Sequence, residues 1–354
     1  MKKSTPSRRL AAALIVLGWM CNCKGRQESL GTNCMTPREG CAGKRCGDAC
    51  LACSAGSVTI PDISGYCDAN GVCAAAAPSC GPISTGGQAG SGGQGGSGNG
   101  SAGCGKTGAA TGAQTDLPIT VAGQARTYVL SVPPGYTGSA PLALVFVWHG
   151  ANLSGSLART LFNLESKSGG AAIFVYPDGL AAGIWDVSSG SVDVQLFTAL
   201  VTSLSANYCI DSKRIFSTGH STGANMTTNL GCYYGDVLRA VAPVAGTAPG
   251  AGRTTCTGKV AALVAHGEND PLVPFAQGQA TRDFYISQNG CTTQTATWAP
   301  EPACVEYQGC QADLPVVWCV HDGGHAWPSL SYGCDGGTCI DGGSAIWAFF
   351  SSFH

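Results

Sequence analysis

Charge is what this 354-residue chain has least of: Asp, Glu, Lys and Arg make up 11% of it, nineteen basic against twenty-one acidic. A net of −2 leaves no basic face large enough to hold nucleic acid. Long apolar runs are missing too. The run from Leu10 to Met20 is too short to cross a bilayer, and no other stretch qualifies as a transmembrane helix. Histidine is sparse, with six in all and none between residues 34 and 80, so the cysteines there have no imidazole with which to build a mixed zinc site. What the chain has instead is apolar mass and cysteine. A hydrophobic share of 44% buries a core and excludes a disordered or collagen-like chain. Twenty cysteines are a disulfide inventory, which places the chain in an oxidising compartment.

The amino end agrees with export. Lys2, Lys3, Arg8 and Arg9 precede the apolar run, the order of a signal peptide over residues 1–23. Leu17 to Cys21 resembles a lipobox, although Trp19 and Met20 stand where small residues are usual. Two outcomes follow: a lipoprotein anchored through Cys21, or cleavage near Cys23 and free secretion. Eight cysteines then fall between residues 34 and 80 with few large apolar side chains. Such a module holds together by disulfides, of which eight cysteines allow 105 pairings. Its Cys50-x-x-Cys53 reads as a staple rather than a metal site, and the module is a candidate contact for a surface or an insoluble polymer. Residues 81–112 are rich in Gly and Ser and read as a flexible linker. Within them Gly100, Gly105, Lys106 and Thr107 match a phosphate-binding loop, but that loop needs a preceding buried strand and a following helix. Neither flank is present, so no nucleotide cofactor is expected.

From residue 113 to 354 short apolar runs alternate with helical segments. Strands are expected at 126–132, 142–148, 172–176, 214–218, 240–244, 261–265 and 316–320, and helices at 192–206, 222–231, 274–288 and 344–352. Apolar strands without polar alternation, separated by helices, indicate a doubly wound, mostly parallel α/β sheet covered on both faces.

The strand ending at Thr218 runs into Gly219, His220, Ser221, Thr222 and Gly223 and then a helix. This is G-x-S-x-G in strand, turn, helix context, a tight turn that exposes a serine above the sheet edge. Such a hydroxyl needs a base and the base an orienting acid, in the chain order Ser, acid, His. Asp270 follows the 261–265 strand and His325 follows the 316–320 strand, both on loops at the carboxyl rim. Glu268, Asp283 and Asp322 are weaker acids for the role, and Asp322 would have to fold back on the histidine's own turn. His149, His220 and His266 flank glycines as turn or packing residues, and His321 sits too close to its strand. Oxyanion donors are expected at the backbone N–H groups of Thr222 and Ala151, with Asn152 as fallback. Trp185, Trp327 and Tyr176 lie on the same rim, placed either to stack a flat acyl or sugar ring or to cap the core. No metal site is expected.

The series VWHG, VYPDG, VDVQLFTALV, YCIDSKRIFSTGHSTGANM, RAVAPVAG, HGENDPLVP, GGHAWP and WAFFSSF resembles the extracellular polyhydroxybutyrate depolymerase and feruloyl esterase-like branch of the α/β hydrolases. The resemblance spans nearly all of residues 117–354. It implies a secreted serine esterase with Ser221 as nucleophile, Asp270 as acid and His325 as base. Substrates implied are feruloyl or acetyl esters of plant polysaccharide, or alternatively polyhydroxybutyrate; a catalytically dead surface-binding protein is the alternative of another class. The chain departs from the family pattern at His220, Thr222 and Ala224. Nine cysteines lie in this region, an odd number, with Cys104 the nearest outside partner. Cys334 and Cys339 bracket a loop short enough to close locally.

Overall fold

A computed structural model describes residues 49–52, 63–67, 73–74, 99–180, 183–250, 256–329 and 338–354. The expected signal peptide, the lipobox-like segment at Cys21, the cysteine pairings expected in residues 34–80 and Cys334 lie outside the described residues; Cys339 is described and is a free cysteine, which runs against the expected local closure with Cys334. The chain divides into two units, before and after residue 95. In the first, strands β1 (Ala49–Ala52), β2 (Ile63–Cys67) and β3 (Cys73–Ala74) form a three-stranded antiparallel sheet.

The second unit is built on ten strands: β4 (Gly112–Val121), β5 (Gln124–Val132), β6 (Leu142–Trp148), β7 (Ala172–Pro177), β8 (Ile210–His220), β9 (Ala240–Val244), β10 (Ala261–Gly267), β11 (Thr295–Thr297), β12 (Cys304–Tyr307) and β13 (Val316–His321). Their order is β11-β12-β13-β10-β9-β8-β6-β7-β5-β4. The six central strands, β13 to β7, are parallel, and an antiparallel pair extends each edge. Helices are α1 (Gly155–Phe162), α2 (Leu164–Ser168), α3 (Val192–Asn207), α4 (Thr222–Tyr233), α5 (Phe275–Asn289) and α6 (Gly342–Ser351). This is the α/β-hydrolase sheet.

Burial on both faces explains the unbroken apolar strands. Along β6, Val145 and Val147 join the core under α1, α2 and α6, while Leu144, Phe146 and Trp148 join the core under α3, α4 and α5. Each such side chain contributes roughly 1.5–3 kcal/mol of transfer free energy. Period-2 geometry then sends every second residue to the opposite layer, so neither face tolerates a polar alternation.

The expected linker ends earlier than residue 112. Residues 99–106 are strapped to the start of β8 and the end of α3: Ser101 N–H donates to the Ile210 carbonyl at 2.8 Å, Gly103 N–H to the Ser205 carbonyl at 2.9 Å, and the Lys106 ammonium to the Ala206 carbonyl at 2.6 Å. Cys104 is bonded to Cys209, so the odd cysteine finds its partner in this strap. Gly103 is there for contact rather than freedom, since a Cβ on it would lie 2.2 Å from the Tyr208 carbonyl oxygen. Glycine-rich composition gave no sign of these contacts, and the phosphate-loop lookalike is part of the strap. Three more disulfides, Cys232–Cys256, Cys291–Cys310 and Cys304–Cys319, staple the unit. Among the described residues no helix is long and apolar enough to cross a membrane.

Candidate active site

Ser221 sits between the last residue of β8 and the first of α4 with φ +58° and ψ −120°. A non-glycine residue in this region costs on the order of 1–3 kcal/mol and persists only where its surroundings enforce it. They do so here by excluding bulk: a Cβ on Gly219 would lie 2.5 Å from the Gly223 carbonyl oxygen, and one on Gly223 2.0 Å from that of Trp148. The Ser221 N–H donates to Val244 at 3.0 Å, which ties the turn to β9. Ala224 is fully buried, and Gly246 faces it, where a Cβ would come within 2.4 Å of the alanine's own.

The loops after β10 and β13 bring the other two residues to that hydroxyl. His325 Nε2 lies 2.8 Å from Ser221 Oγ, and its Nδ1 lies 2.7 Å from Asp270 Oδ2. Nδ1–H donates to the carboxylate, which leaves Nε2 to accept the serine O–H. Asp270 Oδ1 accepts from the N–H groups of Leu272 and Val273 at 2.9 and 2.8 Å. Burial raises the Asp270 pKa, but these bonds from His325, Val273 and Leu272 outweigh it and hold the carboxyl below its ordinary value. The two loops are fastened to each other: Asn269 Nδ2 donates to the Asp322 carbonyl at 2.6 Å, and a Cβ on Gly267 would lie 2.2 Å from the Gly323 carbonyl oxygen. Glu268 is exposed, and Asp283 is engaged by Arg282 at 2.7 Å, so neither competes for the base.

On the other side of the serine, Gly150 packs so closely that a Cβ there would lie 3.3 Å from that of Ser221. Ala151 follows, half-buried, and then Asn152, exposed with φ +61°. Thr222 opens α4, where first-turn N–H groups have no intrahelical partner and the helix end carries partial positive charge. His149 fixes this loop. Its Nε2 accepts from Gly179 N–H at 2.9 Å, so Nδ1 carries the proton and donates to the Gly150 carbonyl at 2.8 Å. Burial lowers its pKa and keeps the ring neutral. The next loop is held by an ion pair: Arg126 Nη1 lies 2.6 Å from Asp193 Oδ1, Arg126 Nη2 donates to the Asp178 carbonyl, and Asp193 Oδ2 accepts from Asp186 N–H. Nothing in the local sequence around Arg126 marks this role, because its partners are 52 and 67 residues away.

Placement corrects the three aromatic candidates. Tyr176 has no exposed surface, Trp185 donates its indole N–H to the His149 carbonyl at 2.8 Å, and Trp327 stacks on Phe162 with centroids 3.9 Å apart. All three are buried among core residues and support the rim loops from behind, so none offers a free face for stacking. Their residue type fits a ligand platform; the apolar strands beneath them claimed the rings first. Among the described residues, no three His, Cys, Asp or Glu side chains converge to hold a metal ion.

Comparison with known proteins agrees with the geometry. The sequence profile of the phospholipase/carboxylesterase family matches residues 191–306. Feruloyl esterase D of Neurospora crassa is 33% identical over 277 residues, 72% of this chain and 91% of that one. Feruloyl esterase C of Emericella nidulans is 32% identical over 263 residues, 71% of this chain and 90% of that one. Among solved structures, an acetyl xylan esterase from Aspergillus awamori superposes with a TM-score of 0.50 at 16% identity, covering 62% of this chain and 96% of its own, which speaks to fold alone. With this fold, this serine turn and relatives matched over nine-tenths of their length, the chain belongs to the feruloyl esterase-like branch of the α/β hydrolases and is a carboxylic ester hydrolase.

Proposed function

We propose that this chain is an exported serine esterase that cleaves feruloyl or acetyl esters of plant polysaccharide. One observation carries the mechanism: an unbroken hydrogen-bond chain from Ser221 Oγ through His325 to Asp270, on a turn with positive φ. His325 Nε2 takes the hydroxyl proton as Oγ attacks the ester carbonyl, and Asp270 stabilises the imidazolium without itself becoming protonated. The N–H groups of Thr222 and Ala151 receive the developing oxyanion, each worth on the order of 3 kcal/mol of barrier. Return of the proton to the leaving alcohol oxygen completes the acyl-enzyme. Water, deprotonated by the same imidazole, then releases the acid and restores Ser221. No cofactor takes part. Ferulate as the acyl group is supported by the names of the relatives, and export by the charged-then-apolar leader and the disulfides. The cysteine-rich module and its tether are assigned to holding the enzyme at a surface or an insoluble polymer.

Ser221→Ala should abolish p-nitrophenol release from short acyl esters while leaving the melting temperature within a few degrees of wild type. Retained turnover in the variant removes the assignment of Ser221, whereas a wild type that releases no product favours the binding protein. The acyl preference is read from a panel of methyl ferulate, acetylated xylan and polyhydroxybutyrate film. Clearing of the film alone would overturn the polysaccharide-ester reading.

A further inference from the structure

We infer that His266 is a positioning residue of this centre, one that fastens Asp270 in register with His325; the inference rests on the triad reading above. His266 is the penultimate residue of β10, wholly buried and paired in register with Val320 of β13. Its Nε2 lies 2.8 Å from the Val273 carbonyl oxygen and 3.5 Å from Asp270 Oδ2. A carbonyl oxygen only accepts, so the proton is on Nε2. Nδ1 is buried with no hydrogen-bond partner, and a second proton there would bury an N–H donor with no acceptor, so the ring stays neutral.

The bond from His266 closes a turn. Val273 and Leu272 aim their N–H groups at Asp270 Oδ1, and the carbonyl of Val273 is anchored by His266 to the sheet. The amides that orient the carboxylate are thereby referenced to a central strand rather than to a free loop. At 3.5 Å the contact with Oδ2 is too long for a hydrogen bond. It sets the neutral ring against the oxygen that receives His325 Nδ1–H, while its own N–H is given to Val273. There is no slack behind the ring, since a Cβ on Gly278 of α5 would come within 2.5 Å of it. With no exposed surface, the imidazole cannot meet substrate and acts through Asp270.

The test is a double-mutant cycle on the full chain with methyl ferulate. His266→Leu removes the N–H, His266→Gln keeps an N–H near the Nε2 position, and Asp270→Asn removes the carboxylate charge. His266→Leu should lower kcat about tenfold or more with KM within about twofold, and His266→Gln should recover most of that loss. In the Asp270→Asn background, His266→Leu should cost less than about twofold, because no carboxylate is left to position. Equal losses for Leu and Gln that track the melting temperature, or a full tenfold loss in the Asn background, would overturn the inference. Asp270→Asn turning over at the wild-type rate would instead remove the triad reading itself. Should the Leu variant not fold, His266→Asn, whose amide reaches only the Nδ1 position, takes its place with the same expectations.

Discussion

Acidification should destabilise this protein through its buried imidazoles before its carboxylates titrate. His220, beside the serine, is 9% exposed, with Nε2 buried without a hydrogen-bond partner and its ring centroid 4.8 Å from that of His325. Burial first, and then the neighbouring His325, lower its pKa from 6.5 to about 3. The unfolded chain binds a proton near pH 6.5 whereas the folded one waits until near pH 3. Stability is therefore complete above the unfolded value and drains as pH falls through that window. For His220 alone the linkage between pH 7 and pH 4 amounts to about 3 kcal/mol, against roughly 5–15 kcal/mol for a whole domain. His149 and His266, whose pKa values burial also lowers, act in the same direction. Asp270 and Asp341 are held below their ordinary value and release their contribution only at lower pH, below about 4. Urea melts of the oxidised protein at pH 7 and pH 4, for wild type and His220→Met, isolate the effect, because methionine fills a similar volume and does not titrate. Wild type should lose about 3 kcal/mol more than the variant over this interval. Equal losses in the two proteins would refute the reasoning.

Two further outcomes follow from contacts in the sheet. Gly223→Ala sets a Cβ 2.0 Å from the Trp148 carbonyl oxygen; it should cost about 1–3 kcal/mol in a thermal melt and, by displacing Ser221, roughly a hundredfold in kcat/KM, so wild-type values of both would contradict the elbow's clearance. Cys104→Ser opens a loop of sequence separation 105; chain entropy puts the loss near 4–5 kcal/mol, and trypsin should then cut after Lys106, whereas an unchanged melt and an intact strap would show that the bond restrains nothing.

Much of the sheet was legible in the sequence because its central strands are buried on both sides. The runs at 142–148 and 240–244 coincide with β6 and β9, and the others differ only at their ends. What escaped was polar or short. Gly112–Val121 carries Pro118 and Asp116 and survives as a strand because it lies on the sheet edge, where a missing N–H costs little. Helix α1 has eight residues, and its start depends on a Ser154 cap rather than on a periodicity long enough to read. The four residues of β12 are committed by antiparallel pairing with β13, the next strand of the chain, rather than by an apolar pattern of their own.

The same division runs through the site. Ser221, Asp270 and His325 are readable because each stands just past a recognisable apolar strand, and the order of the strands in a parallel sheet carries those ends to one rim. The glycines beside Ser221 are readable because the turn leaves no room for a Cβ. His149, His266 and the pair Arg126 and Asp193 carry no such local signature. Each is a polar group whose role is set by the carbonyl or N–H that happens to face it across the fold: Gly179 for His149, Val273 for His266, Asp178 for Arg126. A buried polar side chain must find a partner or forfeit about 1–3 kcal/mol, so its presence beside a strand end foretells a bond without naming the other end. The three residues proposed to react therefore follow from sequence order, while the groups that hold them become visible only once the chain has closed.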